Sequence, residues 1–458
     1  KFKGEAYSLN AIDKILNEID KIVLNKQFEF LKSSVSEQIQ DDQISLIFDI
    51  AESEKFYVEK INIFGNNITR EDVIRNNLVV DEGDAFNELL QAKTLNNLKS
   101  LNFFSKVETE VIDSKNQNNK IINITVEEKP TGEIMAGAGV GTTGGTIAFG
   151  VTENNFLGRG IEFSSDLSIS EESLKGLIAI NNPNYKGSNR SLNTSLESTV
   201  TDRLKDFGYK SNKAGFSIGS GFEFYEDLYW NTGISGYVEK LETDGSASAT
   251  MKKQEGSYFD GYFNQTFRYD KRNQRFKTSN GYISRFTQNI PLISDNYTLT
   301  NGYDYKIYNQ WFDENIVSLG FYLKTTNSLT GDNVKLSDRL YLPATKLRGF
   351  ESGKVGPKDG TDFVGGNYAS TINLATTLPQ ILPSLQNTSF SLFFDAANVW
   401  GVDYSSSLAD ESEIRSSIGM AVDFFTPVGP LNFSFSEPIT KGKNDITESF
   451  RFNLGTTF

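Results

Sequence analysis

The chain lacks two residue types that carry much of protein chemistry. It contains no cysteine, which excludes disulfide bonds, thiol nucleophiles and thiolate metal sites. It also contains no histidine, so the commonest general base, zinc ligand and pH-sensitive side chain are missing. A serine triad would therefore have no base. We expect a protein that is not an enzyme and that binds no metal and no cofactor.

Positive charge and long apolar runs are also scarce. The 45 basic residues are outnumbered by 59 acidic ones, whereas nucleic-acid-binding proteins carry basic patches. No stretch approaches the roughly 20 apolar residues of a membrane-spanning helix. A β-barrel is still compatible with this composition, because its strands alternate lipid-facing and lumen-facing residues and average out to polar. Nucleic acid is therefore not an expected partner, whereas a membrane is.

The first 53 residues look like part of a small α/β module. Apolar side chains at helical spacing predict a helix between Ile12 and Val23, and two strands follow, one from Phe28 and one over residues 44–50. This α-β-β unit lacks a first strand, and no signal peptide is visible at Lys1. We therefore expect a mature chain whose N-terminal part is missing.

Residues 54–129 are predicted to form a complete β-α-α-β-β unit. A strand over residues 57–63 precedes a short helix, for which Thr69 is the expected N-cap. A second helix and two strands complete a unit of about 75 residues, which is the size of a small domain.

From Pro130 onward, apolar and polar residues alternate as they do in strands. Clear runs cover residues 161–169, 192–200 and 216–224. At roughly 20 residues per strand and connection, residues 130–458 hold about 16 strands. Closing such a sheet removes its exposed edges. We predict a mainly β fold with a transmembrane antiparallel β-barrel over residues 130–458; a soluble β-solenoid or a chain of β-sandwiches is the alternative.

Both ends of the predicted barrel carry glycine. Gly139 to Gly144 match the dinucleotide fingerprint G-x-G-x-x-G, but that fingerprint needs a following helix, and residues 146–151 read as a strand. We interpret Gly137, Gly139 and Gly141 instead as a first barrel strand with little side-chain packing. A last strand places apolar side chains on one face, with a glycine interrupting it: Phe450, Phe452, Leu454, Gly455 and Phe458. These two strands predict a weak lateral seam, with Gly139 opposite Asn453.

Two charged residues are candidates for a pair inside the barrel. Arg348 lies with Gly349 and Phe350 in a long connection at roughly residues 344–365, where a solvated arginine is the simpler interpretation. Asp395 is a carboxylate in an otherwise apolar strand and would need a partner if it faced the lumen. An arginine on a loop folded into the lumen would supply one.

Several segments resemble, in the same order, the BamA family, the central subunits of the bacterial outer-membrane barrel-assembly machinery. They are residues 155–160, 182–185, 348–350, 365–367, Asp395 with Val399 and Trp400, 427–430 and 452–458. The β-α-α-β-β unit resembles the family's polypeptide-transport-associated (POTRA) modules. The resemblance implies the C-terminal part of one POTRA module at residues 1–53, a complete module at 54–129 and a 16-stranded barrel at 130–458.

The resemblance also implies a location and a loop arrangement. The barrel would lie in the outer membrane and the POTRA modules in the periplasm. The sixth extracellular loop would enter the lumen, where Arg348 would pair with Asp395 and hold the loop. Family members commonly have a second carboxylate after the Gly-Gly-Asn stretch, where this chain has Leu374, Ala375 and Thr376. Asp395 would then be the sole acidic partner.

The function implied is that of an insertase, which folds β-barrel proteins into the outer membrane by templating client strands at the weak seam. The implied partners are unfolded outer-membrane proteins as clients, accessory lipoprotein subunits of the machinery, periplasmic chaperones and outer-membrane lipids. A secretion pore of the two-partner type is one alternative and would be marked by a plug helix. A TamA-like barrel for autotransporter assembly is another, and a porin or adhesin, which would not need the modules, is a third.

Overall fold

The structure is a computed structural model that describes residues 31–40, 43–52, 56–86, 88–116, 118–142, 144–275, 278–312, 315–379, 388–404, 408, 412–426 and 429–454. The helix predicted between Ile12 and Val23 lies outside these residues. The chain forms two compact units, Lys1–Glu133 with Glu153–Phe163 and Ile134–Thr152 with Ser164–Phe458.

The first unit contains a complete β-α-α-β-β module, as predicted. It follows an antiparallel pair formed by β1 (Leu31–Gln40) and β2 (Gln43–Glu52). In the module's sheet, β5 is central, parallel to β3 and antiparallel to β4. The elements in chain order are β3 (Tyr57–Phe64), α1 (Glu71–Arg75), α2 (Glu88–Ser100), β4 (Phe104–Asp113) and β5 (Asn119–Glu128).

Alternation along the strands explains how this module builds its core. Ile122 and Ile124 lie two residues apart on β5 and are both buried, and they pack against Ile61 of β3 and Leu98 of α2. Leu98 lies on the side of α2 that faces the sheet, and it is fully buried there.

The prediction that Thr69 caps the first helix is wrong. The cap position is occupied by Arg70, whose side chain makes no capping hydrogen bond, and the helix ends at Arg75. Thr69 is instead buried, and its backbone N–H donates to the Glu128 carboxylate at 2.6 Å. The Asn67 and Ile68 N–H groups donate to the same carboxylate at 2.9 Å each. A carboxylate from β5 thus fixes the segment just before the helix, and no side chain caps the helix itself.

The barrel is closed, antiparallel and built from 16 strands, which confirms the predicted fold class. Strands adjacent in the chain are adjacent in the barrel, except that β16 is followed by β19. The strands are β6 (Gly132–Gly141), β7 (Gly144–Glu153), β8 (Glu162–Ser170), β9 (Ser173–Asn182), β10 (Ser191–Arg203), β11 (Tyr209–Tyr225), β12 (Leu228–Thr243), β13 (Gly256–Asp270), β14 (Gly281–Ser294), β15 (Thr298–Phe312), β16 (Asn315–Ser328), β19 (Tyr368–Thr377), β20 (Thr388–Trp400), β21 (Arg415–Thr426), β22 (Gly429–Thr440) and β23 (Phe450–Leu454).

The connections contain the remaining regular elements. Two helices of four residues each, α3 (Leu204–Phe207) and α4 (Ala249–Lys252), follow β10 and β12. A small hairpin of β17 (Lys358–Asp359) and β18 (Asp362–Phe363) lies between β16 and β19. Among the described residues, no helix is both long and apolar enough to cross a membrane.

The alternation predicted from the sequence places apolar side chains outside and polar ones inside. On β10, Leu196 is 58% exposed on the outer face, whereas its neighbour Ser195 faces inward and shares a hydrogen bond of 2.8 Å with Ser217 of β11. Exposed aromatic residues also stand at strand ends, among them Trp311 and Phe312 at the end of β15. An apolar band with aromatic side chains at its edges is what a bilayer requires of a barrel.

Candidate functional site in the lumen and at the seam

A long connection between β16 and β19 is buried inside the barrel. We call residues 329–367 the inward loop; it begins earlier than the connection predicted at residues 344–365. Its apolar side chains pack together and against Ala397 and Val399 on the inner face of β20. Those that are at most 2% exposed are Val334, Leu336, Leu342, Leu347, Phe350, Val355, Phe363 and Val364. The loop therefore carries its own small core.

Arg348 and Asp395 meet in a two-pronged ion pair. Arg348 Nε lies 2.7 Å from Asp395 Oδ2, and Nη2 lies 2.7 Å from Oδ1. The Arg348 backbone N–H donates to the same carboxylate at 3.1 Å. The guanidinium carbon also stands 3.4 Å from the ring centre of Phe393, two residues before Asp395 on the same face of β20. Since the Asp395 side chain is fully buried, its charge is satisfied by the protein alone.

Three neighbouring strands supply this site in one row. Register places Asn373 of β19 and Ser417 of β21 on either side of Asp395. The Asn373 side-chain amide donates to Asp395 Oδ1 and to the Lys346 carbonyl, both at 2.8 Å. The Ser417 hydroxyl donates to the Arg348 carbonyl. An amide thus stands beside Asp395, and sequence reasoning missed both Asn373 and Ser417.

Gly349 and Phe350 bring the tip of the loop to the connection that precedes β23. Gly349 has a φ of +88°, and a Cβ there would lie 3.2 Å from the Cβ atoms of Ser417 and Ser436. Its carbonyl accepts the Glu448 N–H at 3.0 Å, and Phe350 forms a backbone bridge with Thr447. Glycine is therefore needed for both the backbone conformation and the close approach.

Further buried charges hold other parts of the loop, and none of them was predicted. Lys335 reaches Glu239 and Asp260 on the wall, and Arg339 pairs with Asp403, which follows β20. Burial raises the pKa of Asp403, but the Arg339 charge and hydrogen bonds from Asn367 and Val334 lower it by more, so its pKa lies below the ordinary value. In sequence, Glu239 and Asp260 look like any other inward-facing polar residues of alternating strands, which leaves no signal for their pairing.

The seam between β6 and β23 is described over two paired positions. β23 is described as far as Leu454, and within that range Gly141 pairs with Asn453 and Val140 with Leu454. Gly455 and Phe458, also predicted for the seam, lie outside the described residues, as do residues 427 and 428.

Glycine forms the inner face of β6. Gly137, Gly139 and Gly141 alternate with the exposed Ala136 and Ala138, so the middle of this strand, between Ile134 and Val140, carries small side chains on both faces. A Cβ on Gly141 would lie 2.8 Å from the Phe452 carbonyl oxygen, which shows how closely β23 approaches. The prediction that Gly139 faces Asn453 is wrong, because Gly141 holds that position.

On the other side of the seam, β23 displays aromatic rings. The rings of Phe450 and Phe452 have centres 6.3 Å apart, and Phe435 of β22 lies 5.0 Å from Phe450. Phe435 and Phe450 are 49% and 40% exposed on the outer surface. A bulky aromatic edge therefore meets a strand of small residues.

Comparison with known families agrees with this architecture. The model described as the Omp85 superfamily domain matches residues 155–458, which is most of the chain. The chain belongs to the Omp85 superfamily. A second model, for POTRA and described as "Surface antigen variable number repeat", matches residues 56–129 of this Omp85 chain.

Curated relatives and a solved structure are similar over nearly the whole Omp85 chain. Outer membrane protein assembly factor BamA of Neorickettsia risticii (strain Illinois) is 24% identical over 95% of this chain and 60% of its own length. BamA of Neisseria meningitidis serogroup B is 23% identical over 99% of this chain and 63% of its own. The chain thus spans about 60% of the length of these relatives. The crystal structure of BamA from Haemophilus ducreyi lacking POTRA domains 1–3 shares the fold with a TM-score of 0.80, at 24% identity, over 99% of this chain and 95% of that one.

Fold and family together give the location of this Omp85 protein. A closed 16-stranded barrel with an apolar outer face is an outer-membrane barrel, and its POTRA module is periplasmic.

Proposed function

We propose that this chain folds other β-barrel proteins and inserts them into the outer membrane by pairing client strands with the edges of the β6–β23 seam. The observation that carries the proposal is the inner face of β6, where Gly137, Gly139 and Gly141 offer no side chains to pack beside the seam. In hydrocarbon every backbone N–H and C=O needs a partner, and each one left without costs several kcal/mol. An edge that opens at low cost offers those partners to an incoming strand.

The side chains beside the seam support a second contribution. Between Ile134 and Val140, the outer face of β6 carries only the small side chains of Ala136 and Ala138. A barrel with a short hydrophobic belt thins the bilayer next to it. We propose that this thinning lowers the barrier that a client strand meets on insertion.

The inward loop is proposed to hold the seam-side wall in place during this cycle. Its tip, fixed by the Arg348–Asp395 pair, also bonds to Thr447 and Glu448 just before β23. A change in the position of the tip would therefore alter the segment that leads into β23, which forms one edge of the seam.

The proposed partners follow from the same function. They are unfolded outer-membrane proteins, outer-membrane lipids, accessory lipoprotein subunits and periplasmic chaperones, the last two acting through the POTRA modules. The relatives named above carry the name of outer-membrane protein assembly factors. Strand pairing requires no covalent chemistry, so the proposed protein is not an enzyme.

A reversible crosslink tests the seam. The variant Val140→Cys with Leu454→Cys places thiols at a directly paired position that already carries side chains, where cross-strand Cα atoms are about 4.5–5.5 Å apart and a disulfide can form. Folding of a urea-unfolded outer-membrane barrel into liposomes is followed with the oxidised and the reduced protein. We expect oxidation to abolish the acceleration of client folding and a reductant to restore it.

A matched crosslink away from the seam is the control. Ser195→Cys with Ser217→Cys joins β10 to β11 at a pair whose hydroxyls are already 2.8 Å apart, and it should leave activity unchanged after oxidation. Full activity of the oxidised Val140–Leu454 variant would reject opening at the seam. If wild type gives no acceleration but conducts ions steadily, the secretion-pore alternative is favoured.

A further inference from the structure

Lys335 is the most deeply buried lysine described, and it lies at the beginning of the inward loop. Its side chain is 1% exposed. Its Nζ lies 3.0 Å from Glu239 Oε2 and 2.5 Å from Asp260 Oδ2, whose side chains are fully buried. Asp338 of the same loop is 3.3 Å away. An ammonium group is strongly hydrated in water, and here protein carboxylates take the place of that water.

The carboxylates are themselves fixed by the barrel wall. Ser211 of β11 donates to Glu239 at 2.5 Å, and Ser294 of β14 donates to Asp260. The backbone N–H next to Lys335, that of Leu336, donates to Gln254 at 3.0 Å. Burial lowers the pKa of Lys335, but the nearby charges of Asp338, Glu239 and Asp260 raise it by more, so the lysine stays charged. The cluster is therefore a specific socket for one loop residue.

This socket is far round the barrel from the Arg348 site. Glu239 and Asp260 lie on β12 and β13, whereas Asp395 lies on β20, five strands beyond β13 in the sheet order. β20 is in turn three strands from β23. The loop is consequently attached to two sectors of the wall, one beside the seam and one remote from it.

We propose that Lys335 is a positioning residue that anchors the first arm of the inward loop, the segment that contains Lys335 and Leu336, to β12 and β13. The loop then connects the part of the wall beside the seam to the remote part and holds the two in place. This rests on the proposed function, because the connection matters only if the seam works. Removing Lys335 would free the arm, since two buried carboxylates would lose their cation. The tip would stay in place, because Arg348 and Asp395 make no contact with this socket.

Two single-cysteine reporters distinguish the arm from the tip. The chain has no native cysteine, so a thiol introduced at Leu336→Cys or Leu347→Cys is the only one present. Both positions are at most 1% exposed, and labelling by a maleimide therefore measures local opening. In the full chain with Lys335→Met, we expect labelling at position 336 to be about 100-fold faster than with Lys335 present. At position 347 we expect less than about a threefold change.

The controls separate anchoring from general stability. Lys240→Met removes an exposed lysine from the same wall strand and should change neither rate, since its pair with Glu242 is solvated. Equal acceleration at both reporters would mean global loosening and would overturn the proposal, as would an unchanged rate at position 336. If Lys335→Met yields no folded barrel, judged by its heat-dependent migration on gels, Lys335→Gln takes its place with the same criteria.

Client folding by the same variants is measured in parallel. A lower rate with Lys335→Met, together with faster labelling at position 336 alone, is the expected result. If wild type itself does not accelerate client folding, the proposed function fails, while the labelling rates still decide whether Lys335 anchors the arm.

Discussion

A buried carboxylate stabilises a fold only when its donors are all in place, and Asp395 shows this at the scale of one residue. It accepts hydrogen bonds from the Arg348 side chain and backbone and from Asn373. Removing the arginine side chain leaves a charge with only the backbone N–H of residue 348 and the Asn373 amide, whereas removing both charges leaves two neutral groups. The loss of stability is therefore large when one partner of the pair is removed and much smaller when both are removed.

We accordingly expect Arg348→Met to destabilise the barrel by about 3–5 kcal/mol. The double variant with Asp395→Asn should lose clearly less, because no unpaired charge remains. The loss of unfolding free energy in both variants is obtained from the urea midpoints of barrel unfolding in detergent, with one m-value used for all proteins. Equal losses in the single and double variants would show that packing of the arginine stem, and not its charge, matters.

Glu128 gives a second prediction at this scale, for the POTRA module. Burial raises its pKa, and the hydrogen bonds from Thr69, Ile68 and Asn67 lower it by more, so its folded pKa lies below the ordinary value of 4.5. Such a group contributes stability that is complete above its ordinary pKa and is lost as the pH falls through the folded value. Amide-exchange protection at residues 67–69, corrected for intrinsic rates, should therefore fall below about pH 4.5. With Glu128→Gln the protection should be low at every pH. A variant that kept the pH dependence of the wild type would contradict the role given to Glu128.

Single residues could be predicted from the sequence only where they broke a pattern. Asp395 interrupts an apolar strand and Arg348 stands in a recognisable motif, and the structure brings the two together. Lys335 breaks no pattern, and its partners lie 96 and 75 residues away on strands where polar residues are expected. Such pairing depends on barrel register and loop path, which local sequence does not determine.

At the scale of the strand, the close approach at Gly141 leads to a prediction. A Cβ there would meet the Phe452 carbonyl at 2.8 Å, so Gly141→Ala must push β23 away. We expect a loss of about 1–3 kcal/mol, as for other overpacked sites. Gly176→Ala on β9 is the matched control, because a Cβ at that strand glycine meets nothing within 4 Å. The temperature at which each barrel unfolds on heat-modifiable gels compares them, and equal shifts would show that β23 does not press on Gly141.

The elements themselves were largely predictable, because strand alternation is a local property. Residues 192–200 and 216–224 fall within β10 and β11, as their alternation predicts. The cap of the module's first helix was predicted wrongly, because Arg70 holds the cap position and the N–H of Thr69 donates to Glu128, which is distant in the sequence. The seam register was wrong by two residues, since pairing between the first and last strands is set by closure of the whole barrel.

At the scale of the whole molecule, the inward loop determines whether the barrel is a channel. An empty 16-stranded barrel leaves an aqueous pore. Replacing residues 331–366 by a short glycine-serine linker should therefore raise ion conductance in planar bilayers from near zero to a steady open level. Arg348→Ala keeps the loop and should conduct far less. A silent deletion variant with a folded barrel would mean that something other than the loop closes the lumen.

The number of strands and the closed topology followed from length and alternation, but the filling of the lumen did not. The loop is held by backbone bonds and by apolar residues spaced without period, as at Leu342, Leu347 and Val355. Neither feature has a sequence signature, so an inward path was indicated only by the need of Asp395 for a partner and by the resemblance to a family.

The path of the loop also determines when its hydrogen bonds can form during synthesis and folding of the chain. Gly356 donates to Asp445, which lies 89 residues further along the chain, and Glu351 donates to the carbonyl of Ile446. The loop therefore cannot finish its hydrogen bonds until the last hairpin has been synthesised and delivered. Contacts this distant in sequence form slowly. The inward loop therefore completes its contacts late, and the barrel is expected to reach its final state slowly.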